Sequence, residues 1–181
     1  RWKGGCSFCV YQKAPLQPVA ETVDQLMSQM EYLQHSQEFT SFSIQSEGPF
    51  RFLIPLLERI NDSDLDMRQL FIRGRAASFH RNQAKLERAV DLARAGDFAL
   101  VSWQIGYESF CQPQLDLYNK GTSAEENLSA LQFNRRLAQR HPGHFADLNN
   151  THGMILWNPW TTFDMLKADF QVICRHMPER L

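Results

Sequence analysis

After Pro18 the apolar residues Val19, Val23, Leu26, Met27, Met30 and Leu33 return at helical spacing, and the period then changes, with Thr40, Phe42 and Ile44 alternating as in a strand. The same step recurs down the chain. A second helix is predicted from Pro49 to about Asn61, followed by a strand from Met67 to Arg73. A third helix runs from about Asn82 to Ala95, with Leu86, Ala89, Val90 and Ala93 on one face. Gly96 stops it ahead of a strand spanning Phe98 to Ile105. Ser123 and Glu126 have the spacing of a capping box and open a fourth helix that ends near His141-Pro142-Gly143. Gly153-Met154-Ile155-Leu156-Trp157 reads as a buried strand. Thr161 or Thr162 caps a last helix carrying Phe163, Leu166, Phe170 and Ile173.

Four strands separated by helices predict an α/β fold of βαβ units with a parallel sheet, open or curled into a partial barrel. Chemistry in such folds collects at the carboxyl ends of the strands. The segments to watch are therefore Gln45-Ser46-Glu47-Gly48-Pro49, Arg73 to Phe79, Gly106-Tyr107-Glu108-Ser109 and Asn158-Pro159-Trp160-Thr161.

Composition narrows the function classes. With 181 residues and 43% hydrophobic content, the chain has the apolar mass for one substantial core. Nineteen basic against twenty acidic residues leave a formal charge of −1, so no global field favours nucleic acid or anionic membranes. No apolar run approaches the roughly 20 residues that span a bilayer, and a cytoplasmic location is the default expectation. The four cysteines include a close pair, Cys6-Ser7-Phe8-Cys9. On spacing, such a pair suits a zinc site, a thiol redox couple or an iron–sulfur cluster. The first residue is not Met and the pair falls just after it, so the chain reads as part of a longer protein.

Four segments taken in order resemble the radical S-adenosylmethionine superfamily. Gly5-Cys6-Ser7-Phe8-Cys9 is similar to the second half of a C-x3-C-x-Φ-C cluster loop. Arg73-Gly74-Arg75-Ala76-Ala77-Ser78-Phe79-His80-Arg81-Asn82 resembles the segment after the third strand. Ile105-Gly106-Tyr107-Glu108-Ser109, then Leu117-Tyr118-Asn119-Lys120-Gly121-Thr122, then Glu126-Asn127, resemble that family's I-G-x-E-S, N-K-G-T and E-x-N succession. Gly153 to Thr162 is similar to the G-F-I-x-F-x-P-x-T-T run of the cobalamin-dependent, MiaB-like branch.

The resemblance implies a partial (β/α)6 barrel, a single domain over 1–181 that starts within its cluster loop, and a [4Fe–4S] cluster on Cys6 and Cys9. S-adenosylmethionine would be cleaved to a radical that abstracts hydrogen from a small-molecule or peptide substrate, in some members leading to methylation. A reductant such as flavodoxin or ferredoxin is implied. Cobalamin has no supporting residue here. Arg75 is the candidate for the methionyl carboxylate and Glu108 for the amino group or ribose. Glu47 and Gly48 stand where the family's backbone receives the amino group, with Ser109 beside Glu108, and Gly153 and Ile155 under the adenine. Asn158 and Pro159 would shape the pocket rim.

The pattern departs at Trp2, where the first cluster cysteine would fall. Two rival classes therefore stay open: a scaffold that has lost its cluster, and a C-x-x-C zinc or thiol protein. Structural roles are also open for the same side chains. Arg75 can pair with an acidic neighbour while Arg73 is the functional guanidinium, and Glu108 can cap a helix. Lys120 can end one and favour its dipole. Cys111 and Cys174 read as small buried groups, and the tryptophans as core or rim packing. None of the six histidines has metal-like spacing, with His152 alone placed near substrate.

Overall fold

The computed structural model describes residues 16–177. Its helices are α1 (Val19–Gln37), α2 (Leu53–Asn61), α3 (Ala76–Arg81), α4 (Gln83–Ala95), α5 (Gln112–Leu117), α6 (Ala124–Arg140) and α7 (Phe163–His176). Its strands are β1 (Ser41–Ile44), β2 (Gln69–Ile72), β3 (Ala99–Ser102), β4 (Gly106–Glu108), β5 (Phe145–Asp147) and β6 (Gly153–Met154). Every pairing is parallel: β1-β2-β3-β5 form one sheet and β4-β6 a second.

In the larger sheet the spatial order follows the chain order without reversal. Right-handed crossovers then place the connecting helices on the same side. Burial agrees, because β1 alternates exposed Ser41 and Ser43 with buried Phe42 and Ile44. In register with those two, Leu70, Ile72 and Leu100 are fully buried, and they meet Leu53, Leu56 and Leu57 of α2 and Leu86, Ala89 and Val90 of α4 in one core. Each of these leucine, isoleucine and valine side chains is worth roughly 1.5–3 kcal/mol when removed from water. The opposite face, with Ser43, Phe71 and Val101 in register, carries no helix between successive strands.

The parallel α/β expectation holds, and a closed barrel is not formed by the described residues. The predicted strand from Phe98 to Ile105 is broken. Trp103 N–H still donates to Ile72 C=O, but Gln104 adopts φ 47°, a left-handed conformation that strands do not tolerate. The chain resumes as β4, where Gly106 N–H donates to Gly74 C=O and a single bridge joins Arg75 to Gly106. The predicted strand from Gly153 to Trp157 is cut to two residues. Ile155 C=O accepts from Gln114 Nε2 (2.7 Å) and Tyr118 Oη (3.0 Å), so side chains take the place of a ladder. Trp157 and Trp160, expected as core or rim packing, are about 70% exposed.

The capping box forms as predicted: Glu126 N–H donates to Ser123 Oγ (3.0 Å) and Ser123 N–H to Glu126 Oε2 (2.8 Å). Thr162 caps α7, its Oγ1 accepting from Met165 N–H. No described helix is long and apolar enough to cross a membrane.

Asp169 anchors α7. Its carboxylate is fully buried and accepts from Phe110 N–H (2.5 Å) and from Ser109 Oγ (2.9 Å). Burial raises its pKa, outweighing the opposing effect of those donors. A raised folded value means that the folded chain holds the proton more tightly. The associated stability is complete below the ordinary carboxyl value of 3.8 and is lost as pH rises through the folded value. Asp169→Asn is therefore expected to lose ground to wild type at acid pH and to match it within about 1 kcal/mol at pH 7, whereas Asp169→Ala, which strands two donors, costs about 2–4 kcal/mol. Denaturant unfolding across pH checks this, and an Asn variant that falls further behind as pH rises would contradict it.

Candidate active site

Beyond the carboxyl ends of β2 and β3 the chain is built on glycines. Gly74 follows β2, Gly106 opens β4 and Gly153 opens β6; Gly106 bonds Gly74 and is paired in register with Gly153. The row continues to the loop after β1, since a Cβ on Gly74 would stand 3.2 Å from Glu47 C=O. The result is a shelf of bare backbone across several strand ends, of the kind that lets a ligand approach the main chain.

One ion pair stands over this shelf. Lys120 Nζ lies 2.5 Å from Glu108 Oε1, with the two side chains only 4% and 13% exposed. A Cβ on Gly106 would come within 2.8 Å of Glu108 Oε1 and 3.3 Å of Lys120 Nζ. Glu108 Oε2 faces Gly153. Glycine at 106 is thus what leaves room for the pair. The residues flanking it are held in strained backbone: Glu108 at φ 64° and Asn119 at φ 48°, with Gln104 nearby at 47°. Left-handed conformations at non-glycine positions cost of order 1 kcal/mol each and collect at functional sites.

Arg75 borders the same shelf. It precedes α3, and its Nη2 donates to Lys120 C=O, which ties the guanidinium to the loop carrying the ammonium. Its Nε is buried and has no hydrogen-bond partner among the described residues. Arg75, Lys120 and Glu108 together carry one net positive charge. An uncompensated guanidinium N–H beside a bare backbone shelf is suited to a carboxylate or a similar anion.

Arg73 lies elsewhere. It follows Phe71 on the face opposite the α2–α4 core, where Nη1 donates to Gln45 Oε1 (3.1 Å) and Gln104 Oε1 (3.3 Å), and Nη2 pairs with Glu47 (2.9 Å). Phe71 and Trp103 meet edge to face beside it, centroids 5.9 Å apart.

The sequence-predicted residues thus fall into separate groups. Arg75, Glu108 and Gly153 converge on the shelf. Glu47 is paired with Arg73, and Gly48 N–H donates to Ser46 Oγ. Ser109 is fully buried with its hydroxyl committed to Asp169. Ile155 N–H bonds Glu108 C=O, which positions the strand behind the carboxylate. Asn158 donates to Tyr118 Oη (2.8 Å) and closes its own turn by accepting from Trp160 N–H. Cys6 and Cys9 lie outside the described residues.

Several structural readings need correction. Lys120 does not serve a helix dipole, being buried against Glu108, and Glu108 caps no helix. Cys174 is exposed and Cys111 only partly buried. His152 is not available to substrate: it is 2% exposed, accepts from Ile105 N–H at Nδ1 and faces Asp147 Oδ1 with Nε2 at 3.0 Å. Because Nδ1 accepts, the proton sits on Nε2 and the ring is neutral. Asp147 also receives Ser102 Oγ, and Tyr107 packs on His152, its phenol pushed well above the ordinary value by burial and by Asp147. This buried layer underlies the shelf, and sequence periodicity carried no sign of it. The N-K-G turn was visible in sequence, but its pairing with Glu108 requires the chain to return across α5.

The described part of the molecule is an α/β domain of parallel strands with its polar site at their carboxyl edge. Neither a protein-family model nor a curated protein matches the chain. Among solved structures it is similar to the apo form of the cobalamin-dependent S-adenosylmethionine radical enzyme OxsB, with a TM-score of 0.62 over 93% of this chain at 18% identity. The likeness is one of fold, and this chain spans about a quarter of that structure's length, 24%.

A buried pair broken from one side leaves a charge without compensation, which costs about 3–5 kcal/mol. Lys120→Met is expected to lose that much stability, while Glu108→Gln with Lys120→Met should return to within about 2 kcal/mol of wild type. Denaturant unfolding of the four proteins checks this. Additive losses would show that the pair does not hold the edge.

Proposed function

We propose that this chain is the core of a radical S-adenosylmethionine enzyme, with the glycine shelf, Arg75 and the Glu108–Lys120 pair forming the S-adenosylmethionine site. The observation that carries the reading is the shelf with a buried, unpartnered Arg75 Nε at its border, in a fold shared with a radical enzyme of that class. The residues present fit such a ligand. Arg75 offers a guanidinium N–H to the methionyl carboxylate, and Glu108 Oε2 offers an acceptor to the ribose or the amino group. Gly106 and Gly153 leave room for a flat ring against backbone, and the buried layer of Tyr107 and His152 keeps water from below.

In this reading Cys6 and Cys9 give two thiolates to a [4Fe–4S] cluster. Bound together, cluster and S-adenosylmethionine supply reductive sulfonium cleavage and a carbon radical that takes hydrogen from substrate. Ser109 and Ile155 then act as positioning residues, one tying the Glu108 loop to α7 and the other setting the strand behind it. Lys120 holds Glu108 oriented without itself meeting the ligand. Cobalamin dependence belongs to OxsB by its description, and the reading for this chain stops at hydrogen abstraction.

The test is anaerobic reconstitution of the full chain with iron and sulfide, followed by measurement of 5′-deoxyadenosine formed from S-adenosylmethionine and dithionite. Product is expected from wild type, none from Cys6→Ala/Cys9→Ala, and at least about a tenfold lower rate at subsaturating S-adenosylmethionine from Arg75→Ala, as loss of a charge-assisted contact implies. Arg73→Ala should retain most of the rate. Loss on Arg73→Ala with Arg75→Ala unaffected would move the site to the Glu47 cluster, and wild-type protein without product would overturn the proposal.

A further inference from the structure

Between β3 and β4 the chain carries one residue more than the strand beside it. Trp103 N–H donates to Ile72 C=O and Gly106 N–H to Gly74 C=O, so three steps here match two on the neighbour. That count defines a bulge, and Gln104, at φ 47°, is where the backbone absorbs the extra residue. A one-residue offset exchanges the two faces of a strand. In a regular strand Tyr107 would share the side of Val101 and Trp103, and Glu108 would follow Leu100 and Ser102 into the core. The bulge reverses that order. Ile105 and Tyr107 are fully buried, and Tyr107 packs on His152, whose partner Asp147 also receives Ser102 Oγ. Gly106 and Glu108 fall on the other side, with the shelf and its ion pair.

A bulge takes backbone donors out of the ladder, and buried donors need partners. Two side chains supply them. Gln104 N–H donates to Thr151 Oγ1 (3.0 Å) and Ile105 N–H to His152 Nδ1 (3.2 Å). Gly153 N–H donates to Ile105 C=O (2.8 Å), so the consecutive residues Thr151, His152 and Gly153 grip Gln104 and Ile105. Each gripping side chain is itself oriented. Thr151 Oγ1 donates to Leu148 C=O (2.7 Å), and His152 Nε2 donates to Asp147 Oδ1 (3.0 Å). Leu148 N–H in turn donates to the carbonyl of Ser102 (2.9 Å), the last residue of β3. The grip is thereby fastened to the same sheet whose strand it bends.

We propose that Thr151 and His152 are positioning residues: by holding the bulge they fix which face of β4 carries Glu108, and so whether the shelf can take S-adenosylmethionine. The inference rests on the reading of the shelf as the S-adenosylmethionine site. His152 is 2% exposed, so it acts through the backbone it holds and not by contact with a ligand. Its part is played by one acceptor atom, Nδ1. A side chain without that acceptor leaves Ile105 N–H buried and unmet, and a slip of the strand by one residue relieves it at the expense of the face that Glu108 occupies.

Paired substitutions separate this role from packing. Asparagine at 152 keeps an acceptor where Nδ1 stands but loses volume and the Asp147 contact, whereas glutamine keeps more volume and reaches toward Asp147 with no acceptor beside Ile105 N–H. At 151, serine keeps the hydroxyl that valine removes. The experiment measures 5′-deoxyadenosine formation by the anaerobically reconstituted full chain against S-adenosylmethionine concentration, together with deuterium exchange at the Gln104 and Ile105 amides. His152→Gln and Thr151→Val are expected to raise the half-saturating S-adenosylmethionine concentration by about fivefold or more and to speed exchange by about tenfold, with iron content and circular dichroism unchanged. His152→Asn and Thr151→Ser should stay within about threefold of wild type in both. A His152→Gln protein that performs as well as His152→Asn or better, the order that packing alone dictates, would overturn the proposal. Wild-type protein that makes no 5′-deoxyadenosine removes the reading of the shelf and the ligand half of the proposal with it, whereas an active wild type with exchange unchanged in His152→Gln and Thr151→Val removes the grip alone.

Discussion

A carboxylate and an ammonium shut away from water at the strand edge set the terms for much of the structure around them. Glu108 and Lys120 come from opposite sides of α5, and each stands next to or within strained backbone that a free loop would relax. Neither tolerates isolation: an unpaired charge in so dry a place costs several kcal/mol, more than the sum of the left-handed conformations that accommodate the pair. The pair closes between the short β4–β6 sheet, which carries Glu108, and the N-K-G turn, which carries Lys120. The same turn presents the Lys120 carbonyl that fixes Arg75. The geometry of the edge therefore rests on one contact that must remain closed.

Around that contact the site is layered. Glycines at 74, 106 and 153 strip the shelf of side chains, and Arg75 supplies the unspent donor at its border. Underneath, His152 is held neutral between Ile105 N–H and Asp147, so the layer below the shelf is polar but carries its hydrogen bonds internally. Farther out, Asp169 fastens α7 to the segment just after Glu108 through Ser109 and Phe110. A change in α7 is thereby coupled by direct bonds to the strand edge, while Phe163 and Phe170 of the same helix stand exposed.

Local signals in the sequence were legible wherever one element determines its own form. Amphipathic periods located α1, α4 and α7, and the Ser123/Glu126 spacing located the start of α6 by a cap whose two hydrogen bonds both form. Of the candidate side chains, Arg75 falls in the loop after β2 as expected, whereas Glu108, expected in a loop, is the last residue of β4. What remained hidden depends on partners distant in sequence. β5 has three residues, too few for a period, and follows a turn at Gly143. The strand from Gly153 stops because Gln114 and Tyr118 capture the Ile155 carbonyl, and nothing near Ile155 in sequence announces them. Lys120 read as a helix-ending cation because a lysine is ordinarily solvated, and only the folded chain puts Glu108 beside it. His152 illustrates the same limit, since burial and an acidic neighbour five residues earlier turn an apparent site residue into structure.

The most direct measurement is the electron paramagnetic resonance spectrum of the anaerobically reconstituted and reduced full chain, recorded with and without S-adenosylmethionine alongside its iron, sulfide and zinc content. The account predicts about four irons per chain and the signal of a reduced [4Fe–4S] cluster, altered when S-adenosylmethionine is added to wild type and altered far less in Arg75→Ala. Zinc without sulfide, or a cluster signal that S-adenosylmethionine leaves unchanged, would contradict it.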